Sequence, residues 1–210
     1  GCYNGAIDYF THEREGELDW HRNHAPAREK GYTTTLLTDE VVKFIGQCKP
    51  GEPFFIYLPF NAPHAPLEAP QQYIDKYAAI ENPRRRTYAA MVDCMDEGIG
   101  KILAALDDKG LAENTFIWFI SDNGGGIGGD NKPLSHSKGT IYEGGIRVPA
   151  AAWWPAGGVT GGRAINVVMS LVDVMPTVID LAGVKDPKTK PLDGLDVLDV
   201  LTGKTDKLPD

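Results

Sequence analysis

The sequence predicts an α/β protein whose sheet is mainly parallel. Three apolar runs have the length and composition of buried strands, and they lie at residues 53–60, 115–120 and 148–154. Segments with the 3.6-residue apolar repeat of amphipathic helices separate them, the longest at residues 84–106. Because strands and helices alternate along the chain, we expect one sheet flanked by helices.

Helices are predicted from apolar spacing and from the residues that flank each segment. They are expected at residues 34–47, 71–77, 84–106 and 170–182, with a further short element at residues 195–201. Gly110 follows the long helix in the place of a C-terminal cap, and Ser170 with Asp173 has the spacing of a capping box. Gly98 and Gly100 inside the long helix indicate close packing against a neighbour.

The composition argues against two classes of function. The chain has 210 residues and a formal net charge of −8, so it lacks the broad basic surface that nucleic acid requires. Its apolar runs are far shorter than the roughly 20 residues of a membrane-spanning helix. The one dense basic run, residues 84–86, is predicted to be a solvated helix end. The three cysteines form no CxxC motif, and Cys94 is predicted to be a small core residue.

Residues with metal-binding chemistry follow the second predicted strand, in the sequence Ser-Asp-Asn-Gly-Gly at 121–125. In α/β sheets, ligands bind beyond the carboxyl ends of the strands. Asp122 and Asn123 can each direct an oxygen at one hard cation, which favours Ca²⁺ or Mg²⁺ over Zn²⁺. The alternative is a plain Asp-Asn-Gly turn without a ligand. A long Gly-rich loop at residues 121–147 surrounds these residues, and loops of this length are usually functional or disordered.

Two further candidates lie in loops. His64 stands between prolines after the first predicted strand, where it could hydrogen-bond an anionic oxygen or protonate a leaving group. Lys138 follows Asp122 by sixteen residues and could return as a point charge for a substrate oxyanion. Each of them alone is also compatible with an ordinary surface residue. Glu143 and Arg147, four residues apart, are predicted to pair and brace the loop.

These motifs, taken in order, resemble the sulfatases of the alkaline phosphatase superfamily. The order is P-x-H-x-P, a helix with Met-x-Asp, SDNGG and then KGTIYEGGIRVP. The opening GAIDYFTHER and the helix MVDCMDEGIGKILAALDDKGL resemble the arylsulfatase B branch, the N-acetylgalactosamine-sulfatase-like enzymes, which act on sulfated amino sugars. The resemblance extends from about residue 5 to residue 203.

The resemblance implies a fold, a site and a reaction. The fold would be a partial alkaline-phosphatase-like sandwich. Asp122 and Asn123 would be calcium ligands, with Mg²⁺ as an alternative, and His64 and Lys138 would contact the sulfate group. The family nucleophile is a formylglycine hydrate made from a Cys or Ser, and the substrate is a sulfated small molecule or a sulfated carbohydrate. The family is found in the periplasm, in lysosomes or secreted from the cell.

The sequence departs from the family pattern in lacking three of its motifs. No C-x-P-S-R motif occurs, and the early Asp-Asp metal pair and the G-K-W-H-x-G motif are missing. In the family all of these precede the part that residues 1–210 resemble. We therefore expect residues 1–210 to be the middle of a sulfatase catalytic domain that also lacks its smaller C-terminal subdomain. Such a piece is expected to bind calcium weakly, to have no turnover alone and to self-associate through exposed apolar edges.

Two other functions are kept as alternatives. One is a phosphodiesterase or phosphonate hydrolase of the same superfamily, but those enzymes use two zinc ions and more histidine ligands than five histidines readily supply. The other is a non-catalytic module that binds sulfated glycans through Lys138 and His64. The polar side chains of His12, Arg14, His21, Arg22 and His24 could line a substrate pocket or could be solvated surface.

Overall fold

The computed structural model describes residues 1–185 and 190–208. They divide into two compact units. Residues 1–112 and 123–147 form the first, and residues 113–122 with the described residues from 148 onward form the second. The boundary falls within the candidate metal motif, because Asp122 belongs to the second unit and Asn123 to the first.

The first unit begins with two short antiparallel hairpins. In one, β1 (Glu13–Arg14) pairs with β2 (Glu17–Leu18), and in the other β3 (His21–Arg22) pairs with β4 (Ala25–Pro26). Sequence analysis had assigned no regular structure to this segment. Two-residue strands carry too little alternation for a periodicity argument to detect them.

Two polar side chains of the hairpin segment contact other side chains of the first unit. The His12 ring is buried and stacks on Trp20 with ring centroids 4.7 Å apart. Arg22 forms ion pairs with Glu29 at 2.6 Å and with Glu40 at 2.9 Å. His12 therefore packs in the interior, whereas Arg22 is exposed, and the substrate-pocket hypothesis for this segment stays a prediction.

Three helices of the first unit confirm the sequence predictions. They are α1 (Thr33–Gln47), α2 (Gln71–Lys76) and α3 (Pro83–Asp108), and a short α4 (Glu143–Ile146) lies in the Gly-rich loop. The side chain of Asn82 caps α3 by accepting two backbone N–H groups, and Gly110 adopts the left-handed conformation after α3. A Cβ on Gly98 would overlap the hydroxyl of Thr38 in α1, as close packing requires, whereas Gly100 has open space around it and its prediction was wrong.

The core of the first unit lies where α2, α3 and the N-terminal segment meet. Its buried members are Tyr9, Tyr32, Ala62, Ala69, Tyr73, Ala90, Met91 and Cys94. Cys94 is therefore a core residue, as predicted.

The segment at residues 53–60, predicted to be a strand buried on both faces, is not a strand in this structure. Phe54, Ile56 and Leu58 are half-buried, but Phe55 is 71% exposed and Tyr57 79% exposed. A strand needs a neighbour for its backbone groups, and within residues 1–185 and 190–208 no backbone hydrogen bond reaches residues 54–57. Side chains of this segment alternate between half-buried and exposed. One face is therefore exposed, and among the described residues the segment has no partner strand.

The second unit contains a two-stranded sheet and two helices. Strands β5 (Ile117–Ile120) and β6 (Ala150–Trp153) confirm the predicted strands and pair antiparallel. All strand pairings in the described part of the chain are antiparallel. The parallel pairing that the sequence predicts is therefore not found among these residues. Helix α5 (Val174–Leu181) follows a 3₁₀ turn that starts with the predicted Ser170–Asp173 capping box, and α6 (Leu198–Thr202) lies in the predicted terminal element.

None of the helices among the described residues combines the length and the apolarity needed to cross a membrane.

Candidate active site

The Ser-Asp-Asn-Gly-Gly turn follows β5 directly. Asp122 is exposed and Asn123 is half-buried. The backbone N–H of Gly124 donates to the carbonyl oxygen of Gly145 at 2.9 Å, and a Cβ on Gly124 would overlap the carbonyl oxygen of Gly144. The turn and the later Tyr-Glu-Gly-Gly motif are thus in direct backbone contact, which only glycine permits at this position.

The main chain of Lys138 contacts this turn. Its N–H donates to the carbonyl oxygen of Gly125 at 3.2 Å. A Cβ on Gly126 would lie 3.7 Å from the Lys138 Cδ, so the lysine side chain runs alongside Gly126 and is exposed. The structure therefore joins Asn123 and Lys138 within one small loop framework, although fifteen residues separate them in sequence.

Asn131 stabilises the same loop framework. Its role was not predicted from the sequence. Its Oδ1 accepts the Gly125 N–H at 2.8 Å and its Nδ2 donates to the Gly125 carbonyl at 2.9 Å. The Nδ2 also lies 3.3 Å from the carbonyl oxygen of His136. An asparagine in a Gly-rich loop carries no periodic signal, so the sequence alone gave no means of finding it.

A predicted ion pair braces the end of the loop. Arg147 and Glu143 lie 3.1 Å apart across α4, which confirms their pairing. The N–H of Gly144 donates to the Ser135 carbonyl at 2.8 Å, so α4 is tied back to the earlier part of the loop.

His64 lies in a second loop, after the exposed segment 53–60. Its N–H donates to the Asn61 carbonyl at 2.8 Å, which closes a turn. The ring Nδ1 lies 2.7 Å from the carbonyl oxygen of Ala65. A carbonyl oxygen can only accept, so Nδ1 carries the proton in this contact. The Nε2 atom of the half-buried ring is then the one that can interact with a ligand.

The two loops meet at Gly128. This residue has a left-handed φ of 84°, and a Cβ there would lie 2.9 Å from the Tyr88 Cβ and 3.3 Å from the Cδ1 of Leu67 in the His64 loop. Arg85 donates to the Gly128 carbonyl at 3.0 Å. Arg85 is exposed, as predicted for a solvated helix end, and its bond to Gly128 in addition ties the Gly-rich loop to the start of α3.

Asp122 and Asn123 match a hard cation in donor type but fall short in number. A carboxylate and an amide oxygen suit Ca²⁺ or Mg²⁺, yet calcium takes about 6–8 oxygen ligands. Within residues 1–185 and 190–208, no cluster of three or more His, Cys, Asp or Glu side chains could hold a metal ion. The assignment of Asp122 and Asn123 as metal ligands therefore stays a prediction from the sequence.

Comparison with known proteins identifies the family. The sulfatase family model matches residues 1–184, so this chain belongs to the sulfatase family. It is 38% identical to mouse N-acetylgalactosamine-6-sulfatase over 172 residues, which is 79% of this chain and 32% of that protein. It is 35% identical to mouse arylsulfatase J over 212 residues, 96% of this chain and 35% of that protein.

A solved structure shows the same fold. The crystal structure of Ps i-CgsB in complex with k-i-k-neocarrahexaose superimposes with a TM-score of 0.86 at 34% identity, covering 94% of this chain and 48% of that one. The α/β fold class is thereby confirmed. The chain spans about a third of the length of the curated relatives named above.

Proposed function

We propose that residues 1–210 are part of the catalytic domain of a sulfuric ester hydrolase that acts on a sulfated small molecule or a sulfated carbohydrate. The observation that supports it best is the hydrogen bond from Lys138 to Gly125. Through this main-chain bond Lys138, whose side chain is exposed, lies next to the turn that carries Asn123. The sulfatase family model and the sulfatase relatives support the same reaction class.

Lys138 and His64 would interact with the sulfate group in this proposal. The ammonium of Lys138 is a compact charge suited to an anionic sulfate oxygen. His64 donates its Nδ1 proton to a carbonyl, so a protonated ring would offer Nε2–H to a sulfate oxygen or to the leaving alcohol. Both groups stabilise negative charge, which grows on the leaving oxygen as the ester bond breaks.

Asp122 and Asn123 would be ligands of a calcium ion, with Mg²⁺ as the alternative. When bound, the ion would neutralise charge on the sulfate oxygens. The remaining ligands and a formylglycine nucleophile would come from polypeptide outside residues 1–210, because none of the three cysteines is followed by x-P-S-R. We expect the isolated 210-residue chain to bind calcium weakly and to show no turnover. For the whole protein we propose a periplasmic, secreted or lysosomal location, as is usual in the family.

The test uses the longest natural polypeptide that contains these residues. Hydrolysis of an aryl sulfate is measured for the wild type and for Asp122→Ala, His64→Ala and Lys138→Ala. Each variant is expected to lose about 100-fold or more in kcat/KM, in line with the loss of one charge-stabilising group. Lys132→Ala, a lysine of the same loop that is also exposed, is the control and should retain wild-type kinetics.

The outcomes separate the alternatives. Retention of sulfatase activity by Lys138→Ala and His64→Ala would contradict the assigned roles. Hydrolysis of an aryl phosphate diester in preference to the sulfate would favour the phosphodiesterase alternative. Binding of a sulfated oligosaccharide without turnover, weakened by Lys138→Ala, would favour the non-catalytic glycan-binding module.

A further inference from the structure

We propose that Tyr9 is a positioning residue for His64 and that it acts by holding the turn that carries this histidine. The inference rests on the role given to His64 in the proposed function. The Tyr9 side chain is fully buried. Its hydroxyl oxygen lies 2.8 Å from the carbonyl oxygen of Asn61 and 2.9 Å from the carbonyl oxygen of His64.

The two acceptors are the ends of a single turn, since the His64 N–H donates to the same Asn61 carbonyl. The Tyr9 hydroxyl has one proton, which the two carbonyls share. It therefore closes the turn from the interior of the protein. Burial raises the pKa of Tyr9 far above its ordinary value, so the hydroxyl stays protonated and stays a donor over the whole range in which sulfate esters are assayed.

Tyr9 is itself held in place. Its backbone N–H donates to Glu68 Oε2 at 2.8 Å, and its carbonyl accepts the Thr33 N–H at 2.9 Å. Its ring stacks on Tyr32 with centroids 5.3 Å apart. Two backbone hydrogen bonds and one ring contact thus hold Tyr9 in place. Its hydroxyl can therefore hold the His64 turn in a fixed position.

The His64 carbonyl, which accepts from the Tyr9 hydroxyl, controls the orientation of the imidazole. It belongs to the peptide group that joins His64 to Ala65, so fixing it restricts the ψ angle of His64. That restriction keeps the Ala65 carbonyl at the histidine ring, where it accepts the Nδ1 proton at 2.7 Å. Without the Tyr9 hydroxyl, the peptide group could rotate, and the ring would lose the partner that directs Nε2.

Tyr32 provides a matched comparison. It is also buried, and its hydroxyl donates to the carbonyl oxygen of Glu68 at 2.9 Å, four residues beyond His64 in the same loop. Tyr9→Phe and Tyr32→Phe each remove one buried hydroxyl and keep the ring. Only the first removes a contact to the His64 turn. A difference between the two variants therefore reports on positioning and not on general loss of stability.

The test measures kcat and KM for an aryl sulfate in the longest natural polypeptide that contains these residues. Tyr9→Phe is expected to lower kcat about tenfold with KM nearly unchanged, because a small misplacement of a reacting group costs rate. Tyr32→Phe is expected to keep kcat within about twofold, because its hydroxyl bonds the Glu68 carbonyl and not the turn at residues 61–64. In a His64→Ala background, Tyr9→Phe should lower kcat no further, since residues that act through one another are not additive.

Equal losses in Tyr9→Phe and Tyr32→Phe would overturn the inference, as would a full tenfold loss from Tyr9→Phe when His64 is already alanine. If His64→Ala keeps wild-type turnover, the role of His64 itself fails and this inference fails with it. If His64→Ala is inactive but Tyr9→Phe is fully active, only this inference fails.

A second measurement keeps the inference testable should Tyr9→Phe not fold. In the wild-type chain, the buried Tyr9 hydroxyl proton should exchange slowly with water and show nuclear Overhauser contacts to protons of the turn at residues 61–64. A Tyr9 hydroxyl that exchanges too fast to be seen, with no such contacts, would contradict the hydrogen bonds on which the inference depends.

Discussion

Asn131 and Gly125 exchange a reciprocal pair of hydrogen bonds. The amide oxygen of Asn131 accepts the Gly125 N–H at 2.8 Å, and its nitrogen donates to the Gly125 carbonyl at 2.9 Å. The side chain thus pairs with the backbone of Gly125 much as a neighbouring strand would. The same Gly125 carbonyl accepts the Lys138 N–H, so this pair fixes the point to which the lysine returns.

Replacing Asn131 is expected to loosen the loop around Lys138. Asn131→Ala removes both bonds, and Asn131→Asp keeps an acceptor but sets a carboxylate against the Gly125 carbonyl. Hydrogen exchange at the Gly125 and Lys138 amides, followed by NMR, should be faster in both variants because those N–H groups lose protection. Lys132→Ala, a change at an exposed position one residue away, is the control. Unchanged exchange in Asn131→Ala would contradict the assignment.

Gly124→Ala is expected to destabilise the first unit. Its methyl group would overlap the Gly144 carbonyl, and the backbone on both sides would have to move. Overpacking of this kind typically costs about 1–3 kcal/mol in the free energy of unfolding, measurable by urea denaturation followed with circular dichroism. Gly126→Ala adds the same methyl group with no neighbour closer than 3.7 Å. Equal losses of stability in Gly124→Ala and Gly126→Ala would show that the contact with the Gly144 carbonyl is not the reason that residue 124 is glycine.

Stability is expected to fall on mild acidification because of His12. Burial is the main reason that the pKa of His12 lies below its ordinary value of about 6.5. As the pH falls below about 6.5 the unfolded chain takes up a proton that the folded chain does not, so the free energy of unfolding decreases until the lower folded-state pKa is reached. Tm measured from pH 7 to pH 5 by circular dichroism should decrease accordingly.

His12→Asn should flatten this part of the pH profile. Asparagine does not titrate here, and it tolerates the left-handed φ of 62° that His12 adopts. His24→Asn, at an exposed position, should leave the wild-type slope. An identical slope in wild type and His12→Asn would show that another group governs the pH dependence.

The isolated 210-residue chain is expected to self-associate through its exposed segment at residues 53–60. Phe55 and Tyr57 are largely exposed on a segment that carries no charge, which favours edge-to-edge pairing. Phe55→Lys with Tyr57→Lys should shift the chain toward monomer in light scattering. Val168→Lys, which places a charge at another exposed apolar residue, should have little effect. A clean monomer for the wild-type chain would contradict this prediction.

Local sequence signals were sufficient for the elements that a periodic pattern or a cap specifies. The helices α1, α2 and α3, the strands β5 and β6 and the Ser170–Asp173 capping box all appear where spacing and flanking residues predicted them. Each depends on short-range periodicity or on a cap only a few residues long.

Several of the features that were not predicted depend on long-range partners. The run at residues 53–60 has the composition of a buried strand, but composition does not reveal whether another strand is there to pair with it. The hydrogen bond from Arg85 to the Gly128 carbonyl could not be predicted, because the two residues lie 43 positions apart. The anchoring contacts of Asn131 and Tyr9 likewise arise only once the loops have folded back, so no local pattern could predict them.

The framework that returns Lys138 to the turn is built from main-chain groups, glycines and one asparagine. The exposed side chains of Ile127 and Lys132, in the same loop, lie outside these hydrogen-bonded main-chain contacts with Gly124 and Gly125. Their side chains can therefore be exchanged without disturbing the scaffold. A loop organised in this way separates a main-chain frame from the side chains at its rim, and it gives protein engineers positions at which specificity can be altered while the frame is kept.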